Sequence, residues 1–255
     1  MIFFLLIVSF VIQTIFFIPA FILKTDKFTD LAYALTFVIL GSLMLGLNNI
    51  FLGKIIVFLM IFLWAARLGV YLFIRINKIK RDKRFDNIRN NFVKFGSFWL
   101  LQGVSVWVIM LSSLIYFSLD SIIINMISWI GFIVWLIGLI VESISDYQKF
   151  KFVNNSSNRG KWIDEGLWKY SRHPNYFGEI LIWIGIYLFV LPSLSDINIW
   201  IGLVSPVYII ILLLFVSGIP KAEEAADKRW GDNEKYLKYK KRTSILIPFF
   251  KKHEN

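Results

Sequence analysis

The chain has 255 residues, 57% of them apolar and 18% aromatic, with a mean hydropathy of +0.65 and a formal net charge of +11. A soluble domain is nearer half apolar and a quarter charged, so the excess apolar surface must face something other than water. The absence of cysteine excludes disulfides, thiolate zinc sites, iron–sulfur clusters and thiol nucleophiles, and two histidines, His173 and His253, are too few for a multi-histidine metal centre.

Seven apolar runs are long enough to cross roughly 30 Å of hydrocarbon. They are Met1–Leu23, Leu31–Leu47, Ile50–Ile74, Phe95–Leu119, Ile122–Val141, Phe177–Leu191 and Ile197–Ile219. The first has no basic n-region and no clean small-residue cleavage site, so it reads as a retained helix rather than a signal peptide. Ser118–Ser121 is a short link, which predicts an antiparallel hairpin of the fourth and fifth spans. The sixth is short for a span and holds Glu179.

The cations sort by segment. Arg75–Lys94 holds eight, Glu142–Tyr176 six and Pro220–Asn255 ten, so 24 of the 28 fall on one side of a seven-span topology. By the positive-inside rule that side is cytoplasmic. The reading is an all-α polytopic bundle with its N-terminus outside and C-terminus cytoplasmic, in the cell (inner) membrane. No repeat or linker is visible, so residues 1–255 read as one domain, with a C-terminal region of interest from about 141 to 255. Much of the lysine is ordinary attraction to anionic headgroups. No nucleic-acid-binding motif accompanies the charge.

Polar residues inside or beside apolar runs are the candidates for chemistry, because ionisable groups at membrane depth default to function. The densest stretch is Gly166–Glu179, with Tyr170, Arg172, His173, Asn175, Tyr176 and Glu179. Pro174 suits the first turn of a helix, and Asn175 and Glu179 then share a face, with Gly178 leaving room beside them. Such a helix N-terminus is also a natural phosphate seat. The fifth span ends in Glu142 and Asp146, again four apart. These acids either hold a ribose or amide, or pair with Arg172 and Lys149. The third span carries Arg67 and Tyr71 and leaves through Arg75, and Gln102 in the fourth reads as an interhelical hydrogen-bonder. Glu223–Arg242 predicts an amphipathic, largely helical segment, and Ile245–Phe250 an apolar return to the membrane surface. There is no Rossmann, P-loop or nucleophile-elbow motif.

Five stretches together resemble a known group. They are LWAARLGVYLFIR at Leu63–Arg75, DKRFDNIR at Asp82–Arg89, VESISDYQKF at Val141–Phe150, GLWKYSRHPNYFGE at Gly166–Glu179, and RWGDNEKYLKYKKRTSILIPFF at Arg229–Phe250. They look like the steroid 5-alpha-reductase and sterol reductase superfamily, nearest a bacterial membrane branch of unknown function. Isoprenylcysteine carboxyl methyltransferases share a weaker version of the central element.

The reductase resemblance implies a membrane enzyme that uses NADPH, bound from the cytoplasmic side, to reduce a C=C bond of a steroid-like or other lipid-soluble substrate. It implies cofactor contacts from Glu142, Asp146, Arg172, His173, Asn175, Glu179, Arg229 and Tyr236. Tyr71, His173, Tyr176 and Glu179 would act on the substrate, with no metal. The glutamine–glutamate pair that holds the 3-keto group of steroids has no match in the second span here, so a steroid as such is not implied. The alternative is S-adenosylmethionine-dependent methyl transfer to a lipid-soluble acceptor. Its ribose and sulfonium would fall to Asp146 and Glu179.

Overall fold

A computed structural model describes residues 1–79 and 85–249. It is all-α, with no strand among the described residues, and seven of its helices are long and apolar enough to cross a membrane. In chain order the helices are α1 (Ile2–Ile22), α2 (Thr29–Leu47), α3 (Leu52–Ile79), α4 (Phe92–Ile109), α5 (Leu111–Phe117), α6 (Met126–Asn154), α7 (Pro174–Val190), α8 (Ile197–Ile211), α9 (Ile219–Trp230) and α10 (Glu234–Arg242). The internal contacts gather into two compact units. One comprises Met1–Trp129 with Ile186–Ser205, the other Ile130–Gly185 with Pro206–Asn255.

In the first unit, α1 shows how an apolar helix chooses its faces. Phe3, Ile7, Val11, Ile15, Ile18 and Ile22 recur every three to four residues and are all exposed, which is a lipid-facing stripe. The opposite face buries Leu5, Ser9, Ile12, Gln13 and Ala20. Polar groups buried there need partners, since hydrocarbon offers none. The Gln102 side chain donates to Gln13 Oε1 at 2.9 Å and to Thr29 O at 3.0 Å, while Gln13 donates to Thr36 Oγ1 at 2.9 Å. Gln102 is thus the interhelical hydrogen-bonder expected from its depth. Nearby, Arg89 pairs with the buried Asp26 at 3.0 Å and with Asp86 at 2.7 Å. The rest of that loop, Arg81–Arg84, lies outside the described residues, as do Phe250 and His253.

The span boundaries differ from the sequence reading at several points. The fourth apolar run, expected as Phe95–Leu119, starts at Phe92 and is broken at Met110, so that only α4 is span-length and α5 is a separate two-turn helix. α6 begins at Met126 rather than Ile122, capped by Asn125, whose Oδ1 accepts from Ile127 N at 2.9 Å. It also runs on to Asn154, so Glu142 and Asp146 lie within the helix and not at its end. The seventh apolar helix is wound as a π-turn over Leu212–Val216 before α9 starts, with Pro220 in its first turn.

In the second unit α6 and α7 run antiparallel in close contact. A Cβ built on Gly138 would lie 2.7 Å from Gly178 O, and one on Gly185 would lie 2.7 Å from Gly131 O. The four glycines repeat at seven residues on each helix, and that lets the two backbones touch.

Candidate functional site

The site lies in the second unit and begins with the turn that follows α6. Gly166, at φ +60°, takes the left-handed conformation that favours glycine and sits against the Gln148 side chain. Leu167 N donates to Gln148 Oε1 at 2.9 Å, and the Trp168 indole donates to Ser145 O at 3.0 Å. The Lys149 ammonium stands 4.7 Å over the Trp168 ring. This fixes the start of the Arg172–Asn175 element on α6, and Pro174 then opens α7, as its missing N–H favours.

The segment after α10 secures the other side. Arg172 N donates to Ser244 O at 2.9 Å, Ser171 Oγ to Leu246 O at 2.6 Å, and Tyr239 OH to Trp168 O at 2.8 Å. Residues 239–246 therefore strap the loop that carries Arg172 and His173. Ile245 within it and Ile247 and Phe249 beyond it are exposed.

At the centre is Glu223 on α9. Its carboxylate accepts from Arg172 Nη1 at 2.6 Å and from His173 Nε2 at 2.8 Å, and lies 3.4 Å from Lys240 Nζ. Lys240 also grips Asp227 at 2.6 Å, and Tyr236 OH donates to Asp227 at 3.3 Å. Three donors on one carboxylate hold it ionised, so the contact to His173 requires the tautomer with its proton on Nε2. The imidazole stacks on Tyr176 with centroids 5.5 Å apart. Burial pushes the Tyr236 phenol up to about 12, with Glu223 and Asp227 adding to the shift. It keeps its proton across the physiological range.

The pKa of His173 is lowered from 6.5, mainly by burial, with Lys149 and Arg172 adding and Glu223 opposing. Below pH 6.5 the unfolded chain takes up a proton that the folded one resists. Stability is therefore full above that value and lost as pH falls through it. Melting temperatures between pH 5 and 8 should show this decline in the wild type and a flatter profile in His173→Asn.

Arg172, His173, Glu223, Arg229 and Tyr236 line one cavity of about 600 Å3, together with Lys149, Arg159, Lys161, Trp162 and Trp230. Its lining holds five cationic side chains and one carboxylate, Glu223, whose two oxygens are already engaged. Among the described residues two donors in this lining have no hydrogen-bond partner although buried, Arg172 Nε and Trp162 Nε1.

Four predicted residues gather elsewhere in the same unit. Glu142 and Asp146 are both buried on one face of α6. A Cβ on Gly178 would meet Glu142 N at 2.6 Å, so Glu142 is seated against the turn of α7 that carries Asn175 and Glu179. The Asn175 Oδ1 is buried with no hydrogen-bond partner among the described residues. Arg172 takes Glu223 as its carboxylate, not Glu142 or Asp146. Tyr71 is on α3, in the first unit.

A family model described as a protein of unknown function (DUF1295) matches residues 16–243. The chain belongs to this family. No match to it was found among curated proteins or among solved structures.

Glu223, Lys240, Trp162, Arg159 and Lys161 escaped the sequence reading. One signal was present for Glu223: with Asp227 it makes an i,i+4 acidic pair in a basic region, opposite in sign to the Arg172 element.

Proposed function

We propose that the protein is a membrane-embedded reductase that uses NADPH to saturate a C=C bond of a lipid-soluble substrate, as a member of the steroid 5-alpha-reductase superfamily. The observation that supports this best is the charge of the cavity. Five cations and two buried donors that have no partner among the described residues confront one carboxylate that is already neutralised. Such a lining suits a ligand rich in anionic acceptors and disfavours a cationic sulfonium. Its volume is within the usual range for small-molecule sites.

On this reading the phosphates and the carboxamide of the cofactor fall to different residues. Arg172 and Arg229 present planar forks to phosphates. Asn175 Oδ1, buried and without a partner among the described residues, is an acceptor for a carboxamide N–H. Bound there, NADPH supplies a hydride equivalent to one carbon of the double bond, and a proton completes the other. Tyr176 and His173 are the groups proposed to place that proton. His173 Nε2–H is engaged by Glu223, so the imidazole first serves to hold Tyr176 by stacking. Apolar spans keep water from the substrate. In this reading the cationic side faces the cytoplasm of the cell membrane, with the N-terminus outside.

Detergent-purified protein should melt higher with NADPH, by an amount equivalent to about 2.7 kcal/mol at a hundredfold excess over Kd. Asn175→Ala and Arg229→Ala should each reduce the shift. A shift with S-adenosylmethionine and none with NADPH would transfer the proposal to the methyltransferase class.

A further inference from the structure

The strap ends in a patch that the cavity does not use. Past α10 the chain runs alongside the loop that precedes α7. Ser171 and Ser244 form a parallel bridge, and Ser244 Oγ donates to Tyr170 O at 2.8 Å. From there exposure alternates. Ile245, Ile247 and Phe249 are exposed, Phe249 by 76%, while Ser244, Leu246 and Pro248 between them are half-buried. Phe249 takes φ +66°, a conformation that bulky residues rarely adopt. Its ring lies on Tyr170, with centroids 4.5 Å apart.

Tyr170 is itself exposed, and the Lys169 ammonium stands 5.8 Å over its ring. Four residues further on, Pro174 opens α7, which is long and apolar enough to cross a membrane. The patch is therefore tied to the level at which a span begins, where tyrosine is favoured. Its charge has one sign. Neither Gly166–His173 nor residues 243–249 contain a carboxylate. Arg242 reaches Asp164 at 3.5 Å, whereas Lys169 and Lys241 are exposed.

An apolar tip beside ammonium groups, at the level where a span begins, matches an anionic lipid surface. The apolar side chains enter the acyl boundary while the cations meet headgroup phosphates. We infer that Tyr170, Ile245, Ile247 and Phe249, with Lys169 and Lys241, form a docking surface for anionic phospholipid, and that docking holds the strap on the loop that carries Arg172 and His173. The linkage is short. Ser244 O, which accepts from Arg172 N, is one residue from Ile245, and Leu246 O, which accepts from Ser171 Oγ, lies between Ile245 and Ile247. The lipid composition of the membrane thereby sets how firmly one wall of the cavity is held, whatever the cavity binds.

The full chain is placed in nanodiscs of phosphatidylcholine alone or of phosphatidylcholine with phosphatidylglycerol, and hydrogen exchange of the Arg172 N–H is read by mass spectrometry. That N–H should exchange at least about fivefold more slowly with the anionic lipid, the weight of one basic residue near such a surface. Lys169→Gln with Lys241→Gln should erase the difference between the two lipids. Ile247→Ser with Phe249→Ser should speed exchange in both. The α7 amides around the buried Ile182 should keep their protection throughout, which separates loss of docking from loss of fold. Equal exchange in the two lipids, a lipid difference that survives the charge variant, a slow Arg172 N–H in the apolar variant, or a change that spreads to α7 would each overturn the docking surface. None of these outcomes bears on the reductase reading, which the NADPH melting shift tests separately.

Discussion

Glu223→Ala should destabilise the folded protein by roughly 3–5 kcal/mol, because it leaves a buried guanidinium without its counter-ion. The side chains of Arg172 and Glu223 are only 12% and 16% exposed, and the carboxylate has three donors around it. Removing the partner strands Arg172 among Trp168, His173 and the strap at Ser244. The double variant Arg172→Met with Glu223→Leu should recover much of the loss, since it removes both charges together. Denaturant unfolding in detergent, followed by tryptophan fluorescence, measures Glu223→Ala, the double variant and its two single changes. Additive losses would show that the pair is not coupled.

The second large effect is expected where α6 meets α7. Gly178→Ala puts a methyl 2.6 Å from Glu142 N and 2.7 Å from Gly138 O, contacts with backbone that cannot yield without separating the helices. Gly138→Ala meets the same wall from the other side. Each should cost about 3 kcal/mol, at the upper end for overpacking, and lower the yield of monodisperse protein from the membrane. Gly46→Ala on α2 is the control. A Cβ there meets nothing within 4 Å, and helix propensity alone makes that change favourable by up to about 1 kcal/mol. Equal behaviour of Gly46 and Gly178 variants would rule out the close helix contact.

The seven spans were legible because hydrocarbon imposes a length on apolar runs, and nothing else in a chain of this size produces seven of them. Ends were less legible. Glu142 and Asp146 looked like the stop of a span, yet α6 continues twelve residues beyond Glu142, and both acids are buried, Glu142 against Gly178 of α7. The candidate site was legible in one half. Arg172, His173, Asn175 and Glu179 stand in a compact stretch of mixed chemistry that an apolar neighbourhood makes conspicuous. Glu223 was not, because Arg172 and His173 are some fifty positions away from it and its local pattern is that of any solvated helix face. Trp162 and Arg159 sit in a turn with no periodicity, where only the fold shows that an indole N–H is buried without an acceptor.

The strap formed by residues 239–246 has a bearing on how the protein is made. All seven apolar helices are complete by Trp230, so insertion into the bilayer needs nothing that follows. Tyr236, Tyr239 and Lys240 come later, and so do the backbone pairings that hold Arg172 and His173 in place. During synthesis a chain can thus be fully threaded through the membrane while its cavity still lacks a wall. The walls of the site are completed by residues made after the last apolar helix.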